Sequence, residues 1–190
     1  MILLPTPLRR AWPALLACAA AVLSGGCATY PQRTAEALHA FERGDFASAR
    51  EAFAEESLTG SAFLSGAEAG MAALAAGDWE GALAHLHRAA AESREIEERA
   101  LVSAADLGEG LVSWMVNDSG RAYRGEGFER VMLHASLALA YLALGRVDDV
   151  WVEARLANRL LEGEEELYEK KYKAGGLGHF VSAITYELLD

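Results

Sequence analysis

Cysteine, proline and positive charge are all scarce in this 190-residue chain, and each shortage excludes something. With two cysteines, Cys18 and Cys27, no disulfide framework holds the fold. Of four prolines, three precede residue 14 and the last is Pro31, so the rest of the chain is free of the strongest helix breaker. Lysine and arginine number 17 against 28 acids, a formal charge of -11, so no nucleic-acid partner is expected. β-branched residues are few, which leaves little material for strands. The longest apolar run, 11–23, is about 13 residues, too short to cross a bilayer of roughly 30 Å.

What remains is alanine, leucine and glutamate, with apolar residues recurring at helical spacing, which predicts an all-α chain with one domain of ordinary size. Residues 1–26 differ from the rest. Arg9 and Arg10 precede the apolar run, and Ser24, Gly25 and Gly26 follow it, the three-part layout of a secretory signal peptide. The alternative is a buried N-terminal helix. Removal of residues 1–26 takes away Cys18, two basic residues and no acid, so the 27–190 domain is still more acidic.

Cys27 directly follows "LSGG", and this junction resembles the lipobox of bacterial lipoproteins, with Ser24 where that motif usually has leucine and Leu23 one position further out. The resemblance implies that Cys27 is lipidated and becomes the first residue of the mature protein. Two or more acyl chains anchor stably, since each buried methylene adds about 0.8 kcal/mol. Ala28, rather than aspartate, follows the cysteine, which by the same resemblance implies the periplasmic leaflet of the outer membrane.

A repeat runs through the body. "FERGDFASAREAF", "LAAGDWEGALAHL" and "LALGRVDDVWVEA" place Gly44, Gly77 and Gly145 alike, 33 and 68 residues apart, one and two units of a period near 34. Each glycine suits positive φ at a helix C-terminus, and Asp45 and Asp78 suit the cap of the next helix. Phe46, Trp79 and Val147 supply an apolar corner. Ala49 and Ala82 are small where helices approach, and Phe53 and Leu86 are large. The period and pattern resemble the tetratricopeptide repeat, which implies a TPR-like α-solenoid of antiparallel helix pairs. By that resemblance Gly70 and Ala138 fall at the small position of the first helix of each pair, and Tyr141 at its aromatic one. Two amphipathic hairpins without repeat relationship are the plainer reading. Residues 179–190 align with 134–145 as an incomplete C-terminal repeat, pairing Ala183 with Ala138 and Tyr186 with Tyr141. Either that helix caps the array or the sequence is part of a longer protein, the second being expected here.

Residues 93–130 interrupt the repeat with an apolar stretch, 100–116, and a mixed loop, 117–129. Together with the helix that contains Glu153, Arg155 and Asn158, this region resembles an uncharacterised family of bacterial TPR-type lipoproteins, matching at Asn117, Tyr123, Gly125, Glu126, Phe128 and Glu129. The resemblance implies fold and location, and no activity. Polar loops on rigid scaffolds favour function, so Asn117, Arg121, Tyr123, Glu126 and Phe128 are candidate partner contacts. Arg155 and Asn158, three apart on one helix face, either clamp a partner or pair with Glu126 or Glu129 to seat the loop.

Catalytic and cofactor motifs are missing. There is no Gly-x-Ser-x-Gly elbow and no phosphate-binding glycine loop, and no metal is expected. His85 and His87, two apart, point to different sides of a helix. Glu109 and Glu126 could pair on a glycan, although spacing along the chain says nothing of their separation. The pairs Glu166–Lys170 and Glu169–Lys173 mark a solvated helix face. The reading is a periplasmic scaffold for a protein partner and not an enzyme. The alternative is binding, or less readily processing, of a cell-wall glycan such as peptidoglycan or of a small ligand through the 117–129 loop and the solenoid groove, with Tyr123 and Phe128 as sugar-stacking candidates.

Overall fold

The structure, a computed structural model, describes residues 29–107, 123, 125–167 and 176–189. Cys27 and the whole of 108–122, with Glu109, Asn117 and Arg121, lie outside these, as do Glu169, Lys170 and Lys173. Every regular element among the described residues is helical: α1 (Tyr30–Glu42), α2 (Phe46–Ala54), α3 (Glu56–Thr59), α4 (Ala62–Ala75), α5 (Trp79–Leu107), α6 (Gly127–Ala143), α7 (Val147–Leu167) and α8 (Gly176–Leu189).

Three turns share one geometry. After α1 the Asp45 N–H donates to Ala40 and the Gly44 N–H to Phe41. After α4 the donors are Asp78 and Gly77, to Ala73 and Leu74, and after α6 Arg146 and Gly145, to Tyr141 and Leu142, all at 2.9–3.0 Å. These are Schellman closures, and each needs one residue in the left-handed region, where φ is 80°, 73° and 70° at Gly44, Gly77 and Gly145. The first two turns run straight into a capped helix. Asp45 accepts the Ser48 N–H at 3.2 Å, and Asp78 accepts the Gly81 N–H at 3.0 Å. Phe46 packs edge-on against Phe41 across the first corner, with ring centroids 5.2 Å apart.

The helices pack in chain order. α1 lies on α2, α4 runs along α5 and α6 along α7; between these pairs α2 meets α4, α5 meets α6, and α8 rests on α7 and α6. α4 is buried on two sides, which explains why its sequence is apolar almost all round. Ala69 and Ala72 join Ala37, Ala40, Ala49 and Phe53 of the first pair. Phe63 and Ala73 join Leu86, Leu137, Val150 and Val181 in the larger core. The small residues sit where backbones come close: Ala49, Ala82 and Ala138 are fully buried, and a Cβ on Gly70 would stand 2.6 Å from the Leu86 side chain. Side chains lock adjacent helices as well. His134 Nδ1 and Glu153 Oε2 are 2.6 Å apart between α6 and α7, and His87 Nε2 and the Tyr141 hydroxyl 2.5 Å apart between α5 and α6.

Two features differ from the repeat as read in sequence. α5 runs unbroken for 29 residues, so residues 100–107 of the apolar stretch continue this helix rather than starting another. The cause is local, because residues 82–107 contain neither glycine nor proline. The turn of α3 also intervenes before α4, closed by Gly60 at φ 78°. On α8, Tyr186 is 54% exposed where its aligned counterpart Tyr141 is 7%, since no described helix covers that face.

Candidate functional site

The segment entering α6 is held against α4 and its N-cap. Gly125 is buried at φ 85°, and a Cβ there would stand 2.3 Å from the Phe63 ring. Only glycine lets this backbone lie on the core. Tyr123 packs edge-on against the same ring, at 6.0 Å between centroids. Ser61 serves both elements: its hydroxyl accepts the Leu64 N–H to cap α4 and donates to the Tyr123 carbonyl at 3.1 Å. On the other side, Arg33 of α1 donates to the Thr59 carbonyl at 3.4 Å and lies over Gly60.

Two tyrosine–carboxylate pairs result. The Tyr30 hydroxyl donates to Glu68 Oε1 at 2.9 Å, joining α1 to α4. The Tyr123 hydroxyl donates to Glu129 Oε2, and the same oxygen accepts the Glu126 N–H at 2.7 Å, completing a capping box at the head of α6. Burial first, and then the nearby carboxylates, raise both phenols above their ordinary pKa. For Tyr30 the contributors are Glu68, followed by Glu129 and Tyr123, so the pairs share one electrostatic neighbourhood. For Tyr123 the chief partner is Glu129.

Beside these pairs lies exposed apolar surface. Met71 follows Glu68 by one helical turn on α4, and its sulfur accepts the Ser136 hydroxyl of α6 at 3.4 Å. Glu129, Met132 and Ser136 form one stripe of α6, with Phe128 one turn before Met132. Met71, Phe128 and Met132 are each at least 36% exposed.

The residues singled out from sequence fall into two groups. Tyr123, Glu126 and Phe128 come together at the head of α6. Arg155 and Asn158 belong to the seam with α8: Asn158 Oδ1 accepts the Ser182 hydroxyl at 2.9 Å, and the Arg155 guanidinium lies 5.7 Å from the Trp151 ring centre. Trp151 in turn packs edge-on on Tyr186 at 5.2 Å. Tyr30, Glu68, Met71 and Met132 were not singled out. Glu68 carried a signal, as the one charged residue in the apolar segment Ala62–Ala75.

Among the described residues no three His, Cys, Asp or Glu side chains converge as a metal site requires, and no helix is long and apolar enough to cross a membrane. No family model matches the chain, and comparison with curated proteins and with solved structures gives no significant match.

Proposed function

We propose that this chain is a lipid-anchored scaffold of the bacterial envelope, a TPR-like solenoid that binds a protein partner and catalyses nothing. One observation carries the reading. Three turns of the same Schellman geometry close the first helices α1, α4 and α6, and the Tyr30–Glu68 and Met71–Ser136 hydrogen bonds link α1 to α4 and α4 to α6. Linked helices that expose Met71, Met132 and Phe128 offer a surface to an extended partner, since a monomer seldom exposes large apolar side chains together.

The proposal is tested by placing a photo-crosslinking side chain at Met132 and, separately, at the exposed Glu80 of α5, in cells carrying the full chain. A protein captured from Met132 and absent from Glu80 supports the scaffold; equal capture or none overturns it. Mass spectrometry of the mature N-terminus tests the anchor, the expected species being an acylated Cys27.

A second reading, glycan binding, draws on the exposed rings of Tyr123 and Phe128, which suit stacking on sugar faces. The Tyr123 hydroxyl is already engaged by Glu129, which reduces its polar reach. Co-sedimentation with purified peptidoglycan tests this reading.

A further inference from the structure

We infer that the face made by α1, α4 and α6 takes a basic, apolar segment of a partner protein, a lysine or arginine lodging beside the Tyr30–Glu68 and Tyr123–Glu129 pairs and its apolar neighbours lying along Met71, Met132 and Phe128. The inference rests on the scaffold reading and names the partner's chemistry.

Charge complementarity selects that occupant. Among the described residues, the ion pairs His39–Glu42, Arg50–Asp78, His134–Glu153 and Arg146–Asp149 engage other acids, and none of these four involves Glu68, Glu126 or Glu129. Within each pair one carboxylate oxygen is occupied, Oε1 of Glu68 and Oε2 of Glu129, and the second oxygen takes no hydrogen bond from the residues just described. Each carboxylate also stands beside a tyrosine ring, and carboxylate with aromatic face is the pairing that ammonium and guanidinium groups favour. An anionic segment would meet like charge here, and the chain's formal charge of -11 would repel it at longer range.

The apolar half of the segment follows from the rest of the strip. Met71 and Met132 are unbranched, polarisable side chains that adapt to varied apolar partners. They lie on α4 and α6 one helical turn from Glu68 and Glu129 respectively, so a segment crossing the helices passes from charge to apolar contact within one turn. A sugar chain would satisfy the carboxylates through hydroxyls but leave the methionines without a matching surface, which favours a peptide over a glycan.

The experiment uses the full chain in detergent and a fluorescein-labelled ten-residue peptide of alternating lysine and leucine, read by anisotropy. Matched peptides replace lysine with glutamate or leucine with serine. The lysine–leucine peptide is expected to bind, and each replacement to weaken it by about tenfold or more. Glu68→Gln with Glu129→Gln keeps shape and the capping box, and is expected to weaken the lysine–leucine peptide about tenfold. Glu51→Gln with Glu80→Gln removes the same charge from exposed positions on α2 and α5 and is expected to change binding less than about threefold.

Equal weakening by the two double variants would reduce the effect to bulk charge and overturn the inference. So would absence of binding by the lysine–leucine peptide, or binding of soluble muropeptides in its place. If a protein is crosslinked from Met132 and its capture is indifferent to Glu68→Gln with Glu129→Gln, the scaffold stands and this inference falls. If the peptide binds as expected but Met132 captures no protein in cells, the scaffold reading falls and the recognition chemistry stands.

Discussion

Arg50 of α2 donates to the carboxylate of Asp78, the same group that caps α5 by accepting the Gly81 N–H. A side chain of the first helix pair therefore holds the turn of the second. Asp78→Ala removes the cap and the ion pair together and is expected to cost about 2 kcal/mol of unfolding free energy. Asp78→Asn keeps a capping oxygen and loses only an exposed ion pair, so its expected cost is about 0.5 kcal/mol. Urea unfolding of both variants separates the two contributions, and equal losses would mean that the cap contributes little.

Gly125 and Gly145 both lie at positive φ but differ in what surrounds them. Nothing stands within 4 Å of a Cβ built on Gly145, whereas one on Gly125 meets the Phe63 ring. Gly145→Ala is expected to cost about 1 kcal/mol, from backbone strain alone. Gly125→Ala adds overpacking against a buried ring, so about 3 kcal/mol is expected. Its loss should also release Tyr123, seen as a change in near-ultraviolet circular dichroism that Gly145→Ala does not produce.

These contrasts indicate which parts of the fold a sequence can reveal. The turns at Gly44, Gly77 and Gly145 were legible because a Schellman closure depends on a single residue and its immediate neighbours. Ala49, Ala82, Phe53 and Leu86 were legible as core for a similar reason, since helical spacing assigns them to one face. The Tyr30–Glu68 pair was not, because its partners are 38 residues apart and meet only once α1 and α4 are stacked. Arg155 and Asn158 show both sides of this. Their shared face, and the i, i+4 contact of Arg155 with Trp151 on the same helix, follow from spacing, but the Asn158–Ser182 bond follows from where α7 and α8 lie.

Tyr30 and Tyr123 offer a pH signature. Each phenol ionises above its ordinary value of about 10, so the folded chain holds these protons more tightly than the unfolded one. Above about pH 10 the unfolded state therefore binds fewer protons, and stability falls as pH rises. The contribution is fully present below that point. Spectrophotometric titration should show two tyrosines ionising late, and Glu129→Gln should bring Tyr123 back toward the ordinary range by removing its chief carboxylate partner. An unchanged titration in Glu129→Gln would place the cause in burial alone.

The seam between α7 and α8 gives a direct comparison of Asn158 with Arg155. Asn158 accepts from Ser182, which is only 6% exposed, so Asn158→Ala strands a buried hydroxyl and leaves a small void. A loss of about 2 kcal/mol is expected, at the level of one unsatisfied buried polar group. Arg155 is exposed and meets Trp151 through its guanidinium, a contact that contributes about 0.5 kcal/mol at such a site. Arg155→Ala should therefore leave the unfolding midpoint nearly unchanged. Thermal and urea unfolding measure both, and crosslinking from Met132 gives the functional half of the comparison. If Arg155→Ala leaves stability intact but abolishes capture, Arg155 contacts the partner; if capture persists in Arg155→Ala, the residue serves only to line the seam beside Trp151.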